Sequence, residues 1–178
     1  WSSDVCSSDL GAFAAVTSNG ELINVVRHRF RSNSDDFKAV MTAAIRAGAN
    51  FLECMDKVTV PVYMQCGFVA VARVAWDDRF APSDWDKSLF AKFNNGEPFY
   101  TYMVRLPIHD CQNIIQPKEM PIYDQNTVTI MSGLEADAVQ ISCVAKWHQN
   151  IPKKVAGAID LLNRYTVDRS YTLVAVTA

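Results

Sequence analysis

The sequence predicts an α/β fold with a mixed sheet organised around a central βαβ unit. Three observations predict it: two apolar runs on either side of Asn19-Gly20, an apolar pattern of helical period between residues 35 and 47, and a short apolar run that ends at Asp56. Short apolar runs are typical of strands, and the helical period is typical of an amphipathic helix. A strand, a helix and a strand in this order predict parallel strands joined by a right-handed crossover.

The first two strands are predicted as a hairpin over residues 11–27. Its strands are the runs GAFAAV and ELINVV, and Asn19-Gly20 between them is typical of a type I′ turn. A polar, basic loop with the sequence RHRFRSNSDD follows. This loop leads into the first helix.

The first helix is predicted over residues 35–47. Ser34 is suited to the N-cap, and Gly48 stands where a C-terminal stop is expected. The apolar side chains at helical spacing are Phe37, Val40, Met41, Ala44 and Ile45. The helix is therefore expected to bury one face against the strands beside it.

Three further elements are predicted before residue 107. Residues 59–66 read as a short helix, with Pro61 in its first turn and Gly67 at its end. The runs FVAVARVAW and FYTYMVRL are typical of strands, and residues 77–98 between them are expected to form a loop.

The pattern of apolar and polar residues changes after Pro107. QPKEMPIYDQN is typical of a linker, and Ser132 and Glu135 form a capping box for a helix to about Gln149. A second helix is predicted from Pro152, and SYTLVAVTA is expected to be a strand. We therefore expect residues 108–178 to be an α-rich extension or a small second domain, without an assigned function.

The first ten residues, WSSDVCSSDL, fit no structural element. Their serines and aspartates compete with helix formation, and the stretch has neither the basic nor the apolar region of a signal peptide. A back-translation of the whole stretch resembles a common short-read sequencing adapter. We therefore treat residues 1–10 as a non-native, adapter-like scar, and expect the natural chain to continue before Gly11.

Charge and composition exclude several classes of protein. The 17 basic side chains oppose 19 acidic ones, and the balance is even without Asp4 and Asp9, so no basic footprint for nucleic acid is present. No apolar run approaches the roughly 18 residues that a membrane span needs. The remaining cysteines are Cys54, Cys66, Cys111 and Cys143. Their wide spacing argues against a zinc site, and we expect free thiols in a cytoplasmic protein of open oligomeric state.

The stretch VYMQCGFVAVARV carries a resemblance to a known family. Tyr63 is followed after three residues by Gly67 and Phe68, between two predicted strands. With the order of elements over residues 11–107, this pattern resembles the C-terminal half of GNAT-type N-acetyltransferases. The resemblance implies an N-terminally truncated GNAT-like acyl-CoA N-acyltransferase fold. It also implies acetyl-CoA as cofactor and a small-molecule or peptide amine as acceptor, attacked directly in a ternary complex.

The resemblance also implies roles for particular residues. Main-chain groups of Asn24, Val25, Val26 and Arg27 would polarise the thioester carbonyl. Tyr63 would protonate the departing thiolate, and Asp56, or else Glu53, would be the base for the amine. The cofactor pyrophosphate would lie at the N-terminus of the first helix. The residues expected to hold it are Arg29, Arg31, Ser32, Asn33 and Ser34.

One departure from the family leaves an alternative open. Ser32 and Ser34 stand where the family has glycine, and the acidic Asp35 and Asp36 follow. A Cβ crowds the approach of phosphate to the backbone, and the two aspartates repel it. The alternative is a catalytically silent GNAT-like binding module, bacterial or phage-encoded. In an enzyme, the strands near residues 22–27 and 50–55 should part at their C-terminal ends; in the silent module they should remain paired.

Aromatic side chains are frequent in the predicted loop. Trp76, Trp85 and Phe80 are candidates for an acceptor site, but hydrophobic packing of the 77–98 loop is the favoured role for them. The two alternatives differ in exposure, because a packed ring is covered by its own segment.

Overall fold

The computed structural model describes residues 10–27, 34–56, 59–106, 128–148 and 171–177. These residues form a mixed α/β structure with two sheets, seven strands and three α-helices, which confirms the α/β class. In chain order the elements are β1 (Leu10–Thr17), β2 (Leu22–Arg27), α1 (Ser34–Arg46), β3 (Phe51–Met55), α2 (Val60–Met64), β4 (Phe68–Val74), β5 (Tyr100–Arg105), β6 (Ile130–Met131), α3 (Gly133–Trp147) and β7 (Tyr171–Thr177).

The strands are arranged in two sheets. One has the order β2-β1-β7 and is antiparallel throughout. The other has the order β3-β5-β4-β6, with antiparallel pairs except for the parallel pair of β4 and β6, so it is mixed, but it is not built around the predicted central βαβ unit. A parallel bridge between Glu21 and Phe51 connects the two sheets. The bridge confirms the parallel direction of β2 and β3, but the two strands belong to different sheets.

The predicted hairpin is confirmed, but its predicted type I′ turn is wrong. Only Gly20 of the turn has a positive φ, of 88°, whereas a type I′ turn needs two such residues. The Gly20 N–H donates to the Thr17 carbonyl at 2.9 Å, and the Thr17 N–H donates to the Glu21 carbonyl at 2.9 Å. The connection is therefore a three-residue loop that ends in a left-handed glycine. Asn19 accepts a hydrogen bond from the Thr17 hydroxyl instead of adopting a positive φ.

Helix α1 lies one residue earlier than predicted at each end. Gly48 has a φ of 101° and donates to the Ile45 carbonyl at 3.0 Å, while Ala49 donates to the Ala44 carbonyl at 3.0 Å. This pair of hydrogen bonds is a Schellman motif, so the predicted stop at Gly48 is confirmed. The apolar face of α1 is buried in the main core, as its spacing predicted.

The sheet containing β3, β4 and β5 is covered on both faces. We call the face that carries Leu52, Cys54 and Met103 the α2 face, because these side chains share the main core with α1 and α2. The opposite face carries Val104 and Tyr102, which pack against α3, and we call it the α3 face. Side chains alternate along a strand, so neighbouring residues of β3 point to opposite faces.

Helix α3 is fixed to the sheet by polar side chains. Its capping box at Ser132 and Glu135 is formed as predicted. Gln140 is fully buried and donates its amide to the carbonyls of Leu52 at 3.0 Å and Met103 at 3.1 Å. His148, just after the helix, lies 2.7 Å from the Arg105 carbonyl through Nε2. These bonds anchor α3 to β3 and β5.

Other predictions past residue 107 have mixed outcomes. The strand at the C-terminus is confirmed as β7, which pairs with β1, and the capped helix is confirmed with its end at Trp147. Helix α3 packs on β4 and β5, and the choice between an extension and a small second domain stays a prediction. The predicted linker and the helix from Pro152 lie outside the described residues.

Two further points concern the ends of the described chain. Strand β1 begins at Leu10, the last residue of the stretch that was set aside as a scar, and residues 1–9 lie outside the described part. Among the described residues, no helix has the length and apolar character to span a membrane.

Candidate functional site

Strands β2 and β3 begin side by side and then separate. The N–H groups of Asn50 and Phe51 donate to the Gly20 carbonyl at 2.8 and 3.3 Å, and Glu21 bridges Phe51. Beyond this point β2 pairs with β1, and β3 pairs with β5. Within the described residues, the facing edges of β2 and β3 have no further pairing. We call the opening between them, toward the ends at Arg27 and Met55, the notch.

A β-bulge lies in β2, on the strand that borders the notch. Phe13 is paired with Val26 and Ala15 with Ile23, so Ala14 of β1 is opposite two residues of β2, Asn24 and Val25. Asn24 has a φ of 52°, a left-handed conformation that asparagine tolerates better than most residues. A bulge takes main-chain groups out of the ladder. The bulge therefore interrupts regular pairing at the residues that were expected to meet a thioester carbonyl.

Tyr63 lies on the short helix that follows β3. Pro61 is in the first turn of α2, and Gly67, with a φ of 86°, ends the turn that follows it, as predicted. The Tyr63 ring packs edge-on against Phe68, with 6.3 Å between the ring centroids. Burial, reinforced by the neighbouring Cys54 and Cys66, raises the pKa of the phenol above its usual value. Tyr63 therefore keeps its proton over the physiological pH range.

The two thiols beside Tyr63 are also protonated. Burial raises the pKa of Cys54 to about 12, and the charges of Asp56 and Glu53 add to the effect, against a hydrogen bond with Thr59. Burial likewise raises the pKa of Cys66 to about 12. Within the described residues Cys54, Cys66 and Cys143 are free thiols, as expected, while Cys111 lies outside. Neutral buried thiols are poor nucleophiles and poor metal ligands.

Asp56, the predicted base, forms a buried ion pair. Its Oδ2 lies 2.7 Å from Nη2 of Arg73, and the two side chains are 2% and 6% exposed. The Arg73 guanidinium also lies 4.2 Å from the centre of the Phe99 ring. A carboxylate held in a buried ion pair is suited to a structural role. Its role as base stays a prediction.

The remaining predicted site residues are only partly described. Asn24, Val25 and Val26 lie on β2 at the bulge, and Val26 is 43% exposed. Arg27 ends β2, on the strand that borders the notch, and Ser34 begins α1. The other predicted pyrophosphate contacts, Arg29, Arg31, Ser32 and Asn33, lie outside the described residues. Glu53, the second candidate base, is on the α3 face, whereas Tyr63 packs on the α2 face.

Aromatic side chains of the β4–β5 connection form a continuous stack with the first residue of β5. The members of this aromatic stack are Tyr100, Trp76, Trp85 and Phe90. The centroids of Tyr100 and Trp76 are 6.1 Å apart, those of Trp76 and Trp85 4.9 Å, and those of Trp85 and Phe90 4.1 Å. All four rings are half-buried, whereas Phe80 is 79% exposed and outside the stack.

The connection that carries the stack is a folded segment with short 3₁₀ helices, not an irregular loop. Trp85 Nε1 donates to the Gly96 carbonyl at 2.8 Å. Lys87 Nζ lies 2.8 Å from Asp78 Oδ1 and 2.7 Å from Glu97 Oε1. Gly96 has a φ of 85°, and a Cβ there would lie 2.4 Å from the Lys87 carbonyl oxygen. The segment therefore holds the rings in place.

Two important side chains were not found from the sequence. Arg73 interrupts an apolar strand, which is a signal for a buried partner, but nothing local identifies Asp56 as that partner. Gln140 has no such signal, because a glutamine on a helix is commonly exposed. Among the described residues, no cluster of histidine, cysteine, aspartate or glutamate could hold a metal ion.

Comparisons with known proteins do not add to this picture. No family model, no curated protein and no solved structure matches the chain.

Proposed function

We propose that this protein is an acetyl-CoA-dependent N-acetyltransferase with a GNAT-like fold. The observation that carries the proposal is the notch: β2 and β3 run parallel, begin side by side and then separate. This is the arrangement expected of the enzyme and not of the silent module. The notch is bordered by β2 with its bulge at Asn24, and by β3, which leads into α2 with Tyr63.

The order of elements over residues 11–107 supports the fold assignment. The hairpin, α1, β3, the short α2, β4 and β5 follow one another as the resemblance implies. Gly67 has the positive φ that its position between Tyr63 and Phe68 calls for, and the Tyr63 and Phe68 rings are in contact. Tyr63 thus has a fixed position relative to the notch.

The residues on the notch fit an acyl thioester. The cofactor supplies a thioester carbonyl and a thiol leaving group. Main-chain N–H groups at the β2 bulge are suited to donate hydrogen bonds to the carbonyl oxygen and stabilise the charge that develops on it. As the amine nitrogen bonds to the carbonyl carbon and the carbon–sulfur bond breaks, Tyr63 donates its proton to the sulfur. A base takes the proton that the amine loses.

A binding module without catalysis is the second candidate. It is favoured by Ser32 and Ser34 in place of glycine and by the acidic Asp35 and Asp36. In that case the protein binds no acetyl-CoA, or binds it without turnover. The two candidates therefore differ in a binding measurement and in a rate.

The proposal is tested by titration of the full chain with acetyl-CoA, followed by an acetyl transfer assay on a panel of amines. We expect saturable binding below millimolar cofactor; no binding at millimolar acetyl-CoA overturns the proposal. Tyr63→Phe is expected to lower kcat about a hundredfold, the lower range for a lost general acid, with little change in cofactor affinity. Phe80→Leu, at an exposed ring outside the aromatic stack, is the control and should leave kcat unchanged. An equal loss of cofactor affinity and kcat in Tyr63→Phe assigns Tyr63 to binding instead.

A further inference from the structure

The aromatic stack and Glu53 lie on the same face of the sheet. Tyr100 is paired with Met55, and Tyr102 with Glu53, and directly paired residues of antiparallel strands share a face. Glu53 and Tyr100 are therefore diagonal neighbours on the α3 face. Diagonal neighbours are within reach of long and aromatic side chains.

The stack extends this surface beyond the end of β3. Trp76 lies nearly parallel to Tyr100, with 17° between the ring planes, and Trp85 and Phe90 continue the row. Glu53 is exposed, and Trp76 and Tyr100 are half-buried. The surface therefore presents aromatic edges and faces beside a carboxylate, toward the end of β3 where β2 and β3 are no longer paired.

The segment around the stack is negatively charged. Residues 75–99 contain five acidic and three basic side chains. Lys87 is engaged by Asp78 and Glu97, and Arg79 is engaged by Asp77, so two of these three cations are already neutralised within the segment. A ligand with a carboxylate or phosphate is disfavoured here, and a cation is favoured.

Two substrates can meet in the notch from opposite faces. Tyr63, the proposed proton donor, packs on the α2 face, and Glu53 and the stack are on the α3 face. The notch lies between β2 and β3, at the β3 edge of this sheet, where its two faces meet. An amine held on the α3 face can therefore reach a thioester carbonyl in the notch without displacing the thiol leaving group next to Tyr63.

We propose that the α3 face beside the notch binds the acceptor, and that the acceptor is an alkyl amine cation without an anionic group. Its charge lies near Glu53, and its carbon chain lies along Tyr100 and Trp76. Aromatic faces attract cations, and alkyl chains bury apolar area on them. This inference rests on the proposed acetyl transfer for its role, but the binding it describes can be measured without the cofactor.

The binding test uses four probes with the same chain length at neutral pH, without acetyl-CoA. They are pentylamine, cadaverine, aminovalerate and pentanol, measured by calorimetry on the full chain. We expect cadaverine and pentylamine to bind more tightly than aminovalerate and pentanol. Equal affinity of pentylamine and aminovalerate overturns the argument that the surface disfavours an anionic group. Equal affinity of pentylamine and pentanol overturns the argument that the surface favours a cation.

Variants of the surface give a second, independent test. Trp76→Leu should weaken pentylamine binding about 2- to 30-fold, the range that a lost cation–π contact covers. Glu53→Gln, at an exposed position, should also weaken pentylamine and should reduce its advantage over pentanol; its unfolding free energy is measured alongside. Phe80→Leu changes an exposed ring of the same segment outside the stack and should have no effect. If neither Trp76→Leu nor Glu53→Gln changes binding, the stack only packs the segment and the inference is wrong.

The outcomes separate this inference from the proposed function. Binding of the cationic probes without any acetyl transfer contradicts the function and leaves the surface in place. Transfer to aminovalerate with the same kcat/KM as to pentylamine contradicts the inference and leaves the function in place.

Discussion

The buried ion pair of Asp56 and Arg73 makes a prediction about stability. The two side chains are 2% and 6% exposed, with 2.7 Å between the carboxylate oxygen and the guanidinium nitrogen. Removal of one partner leaves the other charge in a dry site, which costs about 3–5 kcal/mol in comparable buried pairs. Asp56→Asn and Arg73→Met should each lose stability in this range. For a chain of this size the loss corresponds to a fall in Tm of about 6–20 °C.

Replacement of both partners should be far less costly. Asp56→Val combined with Arg73→Met removes both charges together, and the methionine can remain in contact with Phe99. We expect the double variant to be within about 2 kcal/mol of the wild type, because the cost of desolvating two charges is also removed. The difference between the double variant and the sum of the single ones measures the coupling.

Urea denaturation followed by circular dichroism is the assay, with all variants at one pH. The control is Arg79→Met, which breaks the ion pair between Arg79 and Asp77 on the surface, where the arginine side chain is 81% exposed. That variant should show no measurable change, because exposed pairs contribute little. Single variants of Asp56 and Arg73 that lose less than about 1 kcal/mol, or a double variant that loses the full sum, refute the reasoning.

The same variants decide the catalytic role of Asp56. If Asp56 is structural, the double variant keeps the kcat of the proposed acetyl transfer. If Asp56 is the base, kcat falls in the double variant although its stability is restored. The two roles therefore give opposite results in one protein.

Three more predictions concern other parts of the fold. Gly96→Ala should lower the free energy of unfolding by more than the roughly 1–2 kcal/mol that a positive φ costs, because its Cβ would lie 2.4 Å from the Lys87 carbonyl oxygen. Gly133→Ala, with open space around its Cβ, should be neutral or stabilising. Thermal unfolding of the two variants measures the difference. Burial and a nearby arginine lower the pKa of His148 from its usual value of 6.5. The contribution of His148 to the free energy of unfolding should therefore be complete above pH 6.5 and decrease as the pH falls below it. In His148→Gln, the free energy of unfolding should depend less on pH in this range. Gln140→Leu should destabilise by about 1–3 kcal/mol in urea denaturation, since two main-chain carbonyls lose a buried donor; an unchanged midpoint contradicts the anchoring role.

Local elements of this fold were predictable because their signals are local. The capping box at Ser132, the stop at Gly48 and the short helix with Pro61 all depend on residues within one or two turns. The turn at Asn19-Gly20 was predicted with the wrong type. Asn19 does not adopt the second positive φ, and its side chain accepts a hydrogen bond from the Thr17 hydroxyl. Such a bond is local, but the dipeptide alone does not show it.

Pairings between distant residues were not predictable in the same way. Nothing in the sequence indicates that β7 lies next to β1, or that β5 lies between β3 and β4. The ion pair of Asp56 and Arg73 and the contact of Gln140 with β3 follow from that order of strands. The candidate site was found in part from the sequence, because Tyr63 and the bulged strand follow a pattern of elements, whereas the shared face of Glu53 and the aromatic stack depends on the register of β3 and β5.

For the proposed acetyl transfer, the protonation states around Tyr63 favour direct attack by the amine over a covalent intermediate on the protein. Cys54 and Cys66 are the nucleophiles nearest to Tyr63 in its described surroundings, and burial raises the pKa of each to about 12, so neither is a thiolate at neutral pH. Burial also raises the pKa of the Tyr63 phenol, which makes it a weaker acid in isolation. A thiolate formed beside the buried Tyr63 would be destabilised by the same burial, and its affinity for the proton would rise too. Proton transfer from Tyr63 to the departing sulfur therefore remains feasible, while transfer of the acetyl group to a neutral thiol of the protein does not.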